Sequence, residues 1–423
     1  MTTLDDVAGY GKGTAKKGGA TRSPRRVLVV DFNHMAYKYV HGMGVRLTKN
    51  ITDPQTGELR TVVTNVPNGV GKSLHKWSRG GYDILAVCLD RPQKSRRELF
   101  HFLRPSDKVG YKGSRSGMND KLFEAMQLTV QMLQKSGIAC YAGNDYEADD
   151  LIKAVIDKCK VDYPGMPIDV VTGDADLVPL VDDTVSVFLS SRTGTYAVSK
   201  DIEKTKYKQI TPDNYEEVVS SLSAYKAYKG GVPYNSLLLI KMLRGDSSDN
   251  IPGVTSKSLT PTRVSGIIED MQRIGIDMAN VFRYGGDVNE MVITLMPYLL
   301  DERLLDDLYN EVLEQDVLPE VFDKYFNLTE YGMELAARGQ EFDSEDNVTK
   351  GWMKDKHGGL IDLSEVMKNY LIMNLNQTIE IDRDGETVTL RKSTGVSTPK
   401  PFDEIKMAHE FQYLGIQIPV GRW

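Results

Sequence analysis

The chain has 423 residues, 40% of them hydrophobic and 26% charged, with a net charge of −7 and three cysteines. That length exceeds what a single core fills, so two domains are expected, and the negative balance argues against nonspecific nucleic-acid binding driven by bulk charge. No run approaches the roughly 20 apolar residues of a membrane span. Cys88, Cys140 and Cys159 lack the spacing of a zinc site or disulfide framework, so a reducing, cytoplasmic setting is expected.

Residues 1–26 are polar and glycine-rich and carry Lys12, Lys16, Lys17, Arg22, Arg25 and Arg26. With no apolar h-region they read as a flexible basic tail, not a secretory leader. Unbroken apolar runs at 27–30, 84–89, 168–171 and 185–189 have the character of strands buried on both faces of a parallel sheet. Helical patterns at 70–77, 121–134 and 148–160 alternate with them, giving an α/β core over 27–210. Beyond it the strand signal fades, and 215–229, 237–243 and 303–313 read as helices of a helical region over 211–340. In a C-terminal extension over 341–423, the polar stretch 344–359 reads as a loop. Segments 379–384 and 386–390, around Asp384-Gly385, read as a hairpin.

The first expected strand ends in Asp31 and the second in Asp90, and the third runs through Thr172-Gly173 into Asp174 and Asp176. In open α/β sheets the crevice that binds ligands lies outside the carboxyl ends of the strands. One such Asp is commonly a cap or turn residue, but three strands delivering acids to one edge are harder to explain that way. Glu147-Ala148-Asp149-Asp150 adds three acids at an expected helix start. The helix dipole accounts for one or two of them, and the i,i+3 spacing of Glu147 and Asp150 lets both face the crevice. The polar loop Gly245-Asp246-Ser247-Ser248-Asp249-Asn250-Ile251-Pro252-Gly253 contributes two more. Such a gathering repels itself without cations, and hard oxygen ligands favour Mg2+ or Mn2+. Nine carboxylates (Asp31, Asp90, Glu147, Asp149, Asp150, Asp174, Asp176, Asp246 and Asp249) suit a pair of ions. Two metals about 3.5–4 Å apart are the machinery of in-line phosphodiester displacement. Tyr111-Lys112-Gly113-Ser114-Arg115 follows a basic stretch with Arg96, Arg97, Arg104 and Lys108, the polarity a phosphate backbone requires.

Together these motifs resemble the 5′-nuclease superfamily, which includes the 5′ nuclease domain of bacterial DNA polymerase I, flap endonucleases and bacteriophage ribonuclease H. The matching segments are Val29-Val30-Asp31-Phe32-Asn33 with Ala36-Tyr37, Leu89-Asp90, Tyr111 to Arg115, Tyr146-Glu147-Ala148-Asp149-Asp150, Thr172-Gly173-Asp174-Ala175-Asp176-Leu177, and Gly245-Asp246 through Val254. The resemblance implies a PIN-like, mostly parallel sheet flanked by helices, followed by a helical region with a helix-hairpin-helix-like element. It also implies a structure-specific 5′-3′ exonuclease or flap endonuclease, including removal of RNA from RNA–DNA hybrids. Asp31, Asp90, Glu147 and Asp149, with Asp150 close by, would serve one metal site, and Asp174, Asp176, Asp246 and Asp249 the other. Lys112 and Arg115 would contact the scissile phosphate at the base of an arch over 112–137. Tyr111 and either Arg97 or Arg104 would bind nucleic acid, and Mn2+ would substitute for Mg2+. Implied partners are DNA with 5′ ends, flaps or RNA–DNA junctions, and a clamp or single-strand-binding protein, with no membrane. Family members carry a glycine hairpin after Pro-Gly-Val, whereas the run over 255–263 has no glycine. Lys257 and Arg263 would replace it by charge. Segments 367–375 and 411–419 resemble the tail of bacteriophage ribonuclease H, which implies a phage replication protein in the host cytoplasm.

Other readings are weaker. Gly69-Val70-Gly71-Lys72-Ser73 invites a nucleotide-binding loop, but the position five before Gly71 holds Val66, and a helix is expected there instead. A PIN-type single-strand ribonuclease shares the fold with fewer acids. A catalytically inactive DNA-binding scaffold would lack ligands, whereas all nine positions are filled.

Overall fold

The structure is a computed structural model that describes residues 26–41, 48–52, 57–91, 94–105, 107–113, 120–143, 145–190, 207–254, 259–299, 352–354, 360–383 and 386–418. The tail over 1–25, Arg115, Lys257 and the expected helix over 303–313 lie outside these residues. The described chain falls into two compact units. One is drawn from within 26–91, 120–213 and 394–418, and the other from within 94–113 and 214–393.

The first unit opens with β1 (Arg26–Asp31) and, past the helix Phe32–His41, an antiparallel hairpin of β2 (Thr48–Thr52) and β3 (Leu59–Val63). Strands β4 (Tyr82–Leu89), β5 (Ala139–Ala142), β6 (Ile168–Thr172), β7 (Val185–Ser190) and β8 (Tyr207–Ile210) follow. Six of these form one sheet in the order β5-β4-β1-β6-β7-β8, parallel except for β8. A mostly parallel sheet flanked by helices, as expected of a PIN-like chain, is therefore present. After β1 the chain adds β4 and β5 on one side, then crosses to add β6 and β7 on the other. This order places the topological switch point between β1 and β6.

The four apolar runs are strands because both their faces are covered. Leu28 and Val30 of β1 and Leu85 and Val87 of β4 join a core with Val70, Leu74 and Trp77 of the helix Asn65–Ser78, Leu133 of the helix Asp120–Lys135, and Phe411 of the helix Glu404–Tyr413. Period-two alternation sends Val27 and Val29 to the opposite face. There the helix Ala148–Asp162 packs on β1, β4 and β5. Trp77 closes the first face with edge contacts to Tyr82, Phe188 and Tyr207 at 5.1–5.9 Å. The segment after Thr394 returns to this unit, where Pro401 bridges Ile84 and the Tyr163 hydroxyl donates to the Pro399 carbonyl.

The second unit is mainly helical, with the described helices Lys94–Leu103, Tyr215–Ser220, Leu237–Arg244, Pro261–Arg273, Met278–Val281, Val288–Leu299 and Leu363–Met373. The expected helix over 215–229 stops at Ser220. There Ser220 Oγ accepts the Val232 N–H and Ser221 Oγ donates to the Val218 carbonyl, a local competition that ends helices. Of the expected loop over 344–359, the described part is strand β9 (Trp352–Lys354), paired antiparallel with β10 (Leu360–Asp362). The hairpin near the end is present, with β11 (Ile379–Arg383) against β12 (Glu386–Arg391). Helices Leu237–Arg244 and Pro261–Arg273 flank the 245–254 loop, and the hairpin residues 255–258 lie outside the described residues.

The glycines of the 69–73 run have a packing role. Both sit inside the helix Asn65–Ser78, where an added Cβ would lie 2.1 Å from the Tyr39 ring at Gly69 and 2.4 Å from the Phe411 ring at Gly71. They let the helix press against two aromatic side chains and cradle no phosphate. Gly69→Val should therefore lower stability by about 1–3 kcal/mol through overpacking. A melting temperature equal to that of the wild type would contradict this account.

Candidate functional site

In the first unit the acids gather where neighbouring strands end. Asp31 closes β1, Asp90 follows β4, and Asp174 lies two residues past β6, so three adjacent strands in the order β4-β1-β6 carry them to one edge. Asp31 is buried, accepting the His34 N–H at 3.1 Å and the Thr172 hydroxyl at 2.9 Å. The same Thr172 oxygen accepts the Asp174 N–H at 3.0 Å, so one side chain ties the acid of β1 to the segment after β6. Asp90 accepts from Asn33 Nδ2 at 3.1 Å and from the Ala148 N–H at 2.7 Å, the second bond linking it to the start of the helix Ala148–Asp162.

Burial pushes the Asp31 carboxyl up, Asp90 pushes it further and Asp174 adds to both, against the opposing bonds from His34 and Thr172. The result is a pKa of about 7. The Cys88 thiol on β4 is likewise raised, first by burial and then by the charges of Asp31 and, more weakly, Asp149. These acids thus share one electrostatic neighbourhood.

The Glu147–Asp150 pair is a capping box. The Glu147 carboxylate accepts the Asp150 N–H, and the Asp150 carboxylate accepts the Glu147 N–H at 3.2 Å. Both side chains are buried. The helix start thus accounts for these two acids more fully than the i,i+3 argument allowed, while Asp149 is half-buried beside them. Asp174 also has a local task, capping the 3-10 helix Ala175–Leu180 by accepting the Asp176 N–H at 2.9 Å.

Among the described residues, no three of these groups already converge in ligand geometry. Their fit to a divalent cation rests on chemistry: they are hard oxygen donors on neighbouring strand ends, and their repulsion weakens when positive charge arrives.

The second unit holds the other expected residues. The Lys112 ammonium lies 3.5 Å from Asp249 Oδ2, and the Tyr111 hydroxyl donates to the same oxygen at 3.1 Å. Arg96, a buried residue of the helix Lys94–Leu103, donates to the Tyr111 oxygen at 3.5 Å. Asp246 receives Lys241 Nζ at 2.8 Å and both the N–H and hydroxyl of Ser248. Burial raises the Asp246 pKa, but Lys241 and Ser248 outweigh it and hold the group at about 2.

Arg104 departs from its expected place on a nucleic-acid face. It is buried, paired with Glu365 and bonded to Asn369 Oδ1 at 2.6 Å, where it braces the helix Leu363–Met373. Arg97 is exposed on the helix Lys94–Leu103. Arg263 lies in the first turn of the helix Pro261–Arg273 and donates its N–H to the capping Thr260 hydroxyl. Thr172, Asn33 and Asn250 lie inside the family-like motifs, whose resemblance implies no role for them, and no sequence signal marks Asp107 or Glu365.

Residues 26–216 match the family model described as the 5′-3′ exonuclease, N-terminal resolvase-like domain. Within the chain, 145 residues are 32% identical to DNA polymerase I of Lactococcus lactis subsp. cremoris, covering 34% of this chain and 14% of that protein. A 232-residue stretch is 26% identical to the thermostable DNA polymerase I of Thermus filiformis, covering 55% of this chain and 22% of that one. The chain thus spans 14–22% of the length of these two polymerases. A solved structure of the bacteriophage T5 D15 flap endonuclease is similar at TM-score 0.40 and 16% identity, over 83% of this chain and 99% of that one.

The raised Asp31 carboxyl has a pH signature. Between the ordinary value of 3.8 and about 7 the folded protein keeps a proton that the unfolded chain has lost. Stability contributed by this group therefore falls as pH rises through that window. In chelator at pH 8, Asp31→Asn should unfold at a higher temperature than the wild type, by the equivalent of at most about 4 kcal/mol. The gap should close near pH 4. A variant less stable than the wild type at pH 8 would show that the Asp31 charge is compensated.

Proposed function

We propose that the protein is a structure-specific 5′ nuclease, a 5′-3′ exonuclease or flap endonuclease that hydrolyses phosphodiester bonds of DNA or RNA–DNA junctions. The observation that carries this reading is the gathering of acids at the β4-β1-β6 edge, where Asp90 and Asp174 help raise the Asp31 carboxyl, within the segment that matches the 5′-3′ exonuclease family. The matched relatives are DNA polymerases, which supports DNA as the substrate.

Asp31, Asp90, Asp149, Asp174 and Asp176 would hold divalent cations, with Glu147 and Asp150 fixing the helix start that carries Asp149. The family pattern adds Asp246 and Asp249. Bound Mg2+ or Mn2+ would supply an activated water and offset the charge of the phosphate. Thr172 and the His34 N–H orient Asp31, Asn33 and the Ala148 N–H orient Asp90, and the Asp176 N–H orients Asp174. Lys112 would donate to a non-bridging phosphate oxygen, where charge builds in the transition state. Arg115 would assist it, and Arg97, Lys257 and Arg263 would contact the backbone of the nucleic acid, while Tyr111, buried with its hydroxyl on Asp249, would hold that acid in place.

Labelled 5′-flap, nicked and RNA–DNA substrates test this reading, with single-stranded RNA as the comparison. Cleavage should require Mg2+ or Mn2+, stop in chelator and release products from the 5′ side. Asp176→Asn keeps the backbone N–H that caps the 3-10 helix and should cut at least about 100-fold more slowly. Cleavage that persists in chelator or is undiminished in Asp176→Asn would overturn the mechanism. Activity confined to single-stranded RNA would favour the PIN-type ribonuclease.

A further inference from the structure

Lys112 holds a backbone conformation that lysine rarely adopts, with φ at 52°. The left-handed region is costly for a residue with a long side chain, so it persists only where the surroundings impose it. The surroundings here are a pair of loops within the second unit.

Asp107 starts the first loop. Its Oδ1 accepts the Val109 N–H at 2.9 Å and the Gly110 N–H at 3.1 Å. Asn250 of the second loop reaches across, its Nδ2 lying 3.2 Å from Asp107 Oδ2, 3.4 Å from Oδ1 and 3.2 Å from the Gly110 carbonyl. Asn250 is itself left-handed, with φ at 62°, a conformation that asparagine tolerates. Two reciprocal bonds between Asp246 and Ile251, both 2.8 Å, close its loop around it. Next to this staple the Lys112 N–H donates to the Asp249 carbonyl at 3.1 Å, and the Lys112 ammonium lies 3.5 Å from the Asp249 carboxylate. Gly113 completes the turn, since a Cβ there would lie 1.8 Å from the Val109 carbonyl oxygen.

We infer that Asn250 is a positioning residue for the cleavage reaction: by stapling the Asp107–Gly110 turn to the Asp246–Ile251 loop, it presets the backbone and ammonium of Lys112. This inference rests on the 5′-nuclease reading for its functional consequence. The preset conformation matters because a cation that acts on a transferring phosphate must already be in place when charge develops.

Asn250→Gly keeps the left-handed backbone at no steric cost and removes only the side-chain amide. Amide hydrogen exchange at Lys112 should become faster in this variant, because its bond to Asp249 is no longer held. Single-turnover cleavage of a 5′-flap substrate in Mg2+ should slow by on the order of 10- to 100-fold, while substrate affinity in metal-free buffer stays at the wild-type value. In a Lys112→Ala background the same substitution should cause no further loss, since both changes remove one function. Unchanged exchange at Lys112, or an equal additional loss in the Lys112→Ala background, would overturn the inference. A wild-type protein that cuts no nucleic acid would overturn the nuclease reading instead, and the exchange rate at Lys112 would still decide whether Asn250 holds it.

Discussion

Like charge brought together by parallel strands is the constraint on which the first unit depends. β4, β1 and β6 are hydrogen-bonded neighbours running the same way, so their carboxyl ends share one edge. Asp31 and Asp90 stand directly at two of those ends and Asp174 just beyond the third. The strands behind them are buried and held in register, so the backbones that carry these residues stay close. Packing thus sustains a repulsion that isolated side chains would relieve by moving apart.

The two units handle their acids in opposite ways. In the second, Asp246 and Asp249 each face a lysine, and the Asp246 pKa is drawn down to about 2. In the first, Asp31 faces other acids and rises to about 7. Neutral groups do the orienting there: the Thr172 hydroxyl, the Asn33 amide and the N–H groups of His34 and Ala148. Such donors fix where a carboxylate points without adding positive charge of their own.

Much of this was legible in the sequence because it follows from period and position. The runs beginning at Val27, Ile84, Ile168 and Val185 have the length and character of doubly buried strands, and the acids after the first three fall at one edge when those strands are parallel neighbours. β5 and β8, with four residues each, are too short to establish a period, and the helix Lys94–Leu103 hid behind its basic residues. Arg104 looks in sequence like one more cation of that stretch, and its true partners Glu365 and Asn369 lie about 260 residues away. Glu147 and Asp150 were legible as acids on one helical turn. Their mutual capping depends on backbone geometry that spacing alone does not carry.

On the reading proposed here, a divalent cation held by the strand-end acids would offset their mutual repulsion in the folded state. Thermal unfolding at pH 8 across a Mn2+ titration tests it most directly, comparing the wild type with Asp90→Asn/Asp174→Asn. Binding to the folded state should raise the wild-type melting temperature progressively with Mn2+ concentration. The double variant, with two of the three strand-end charges removed, should respond far less. A melting temperature that Mn2+ leaves unchanged, or one that rises equally in both proteins, would contradict the account.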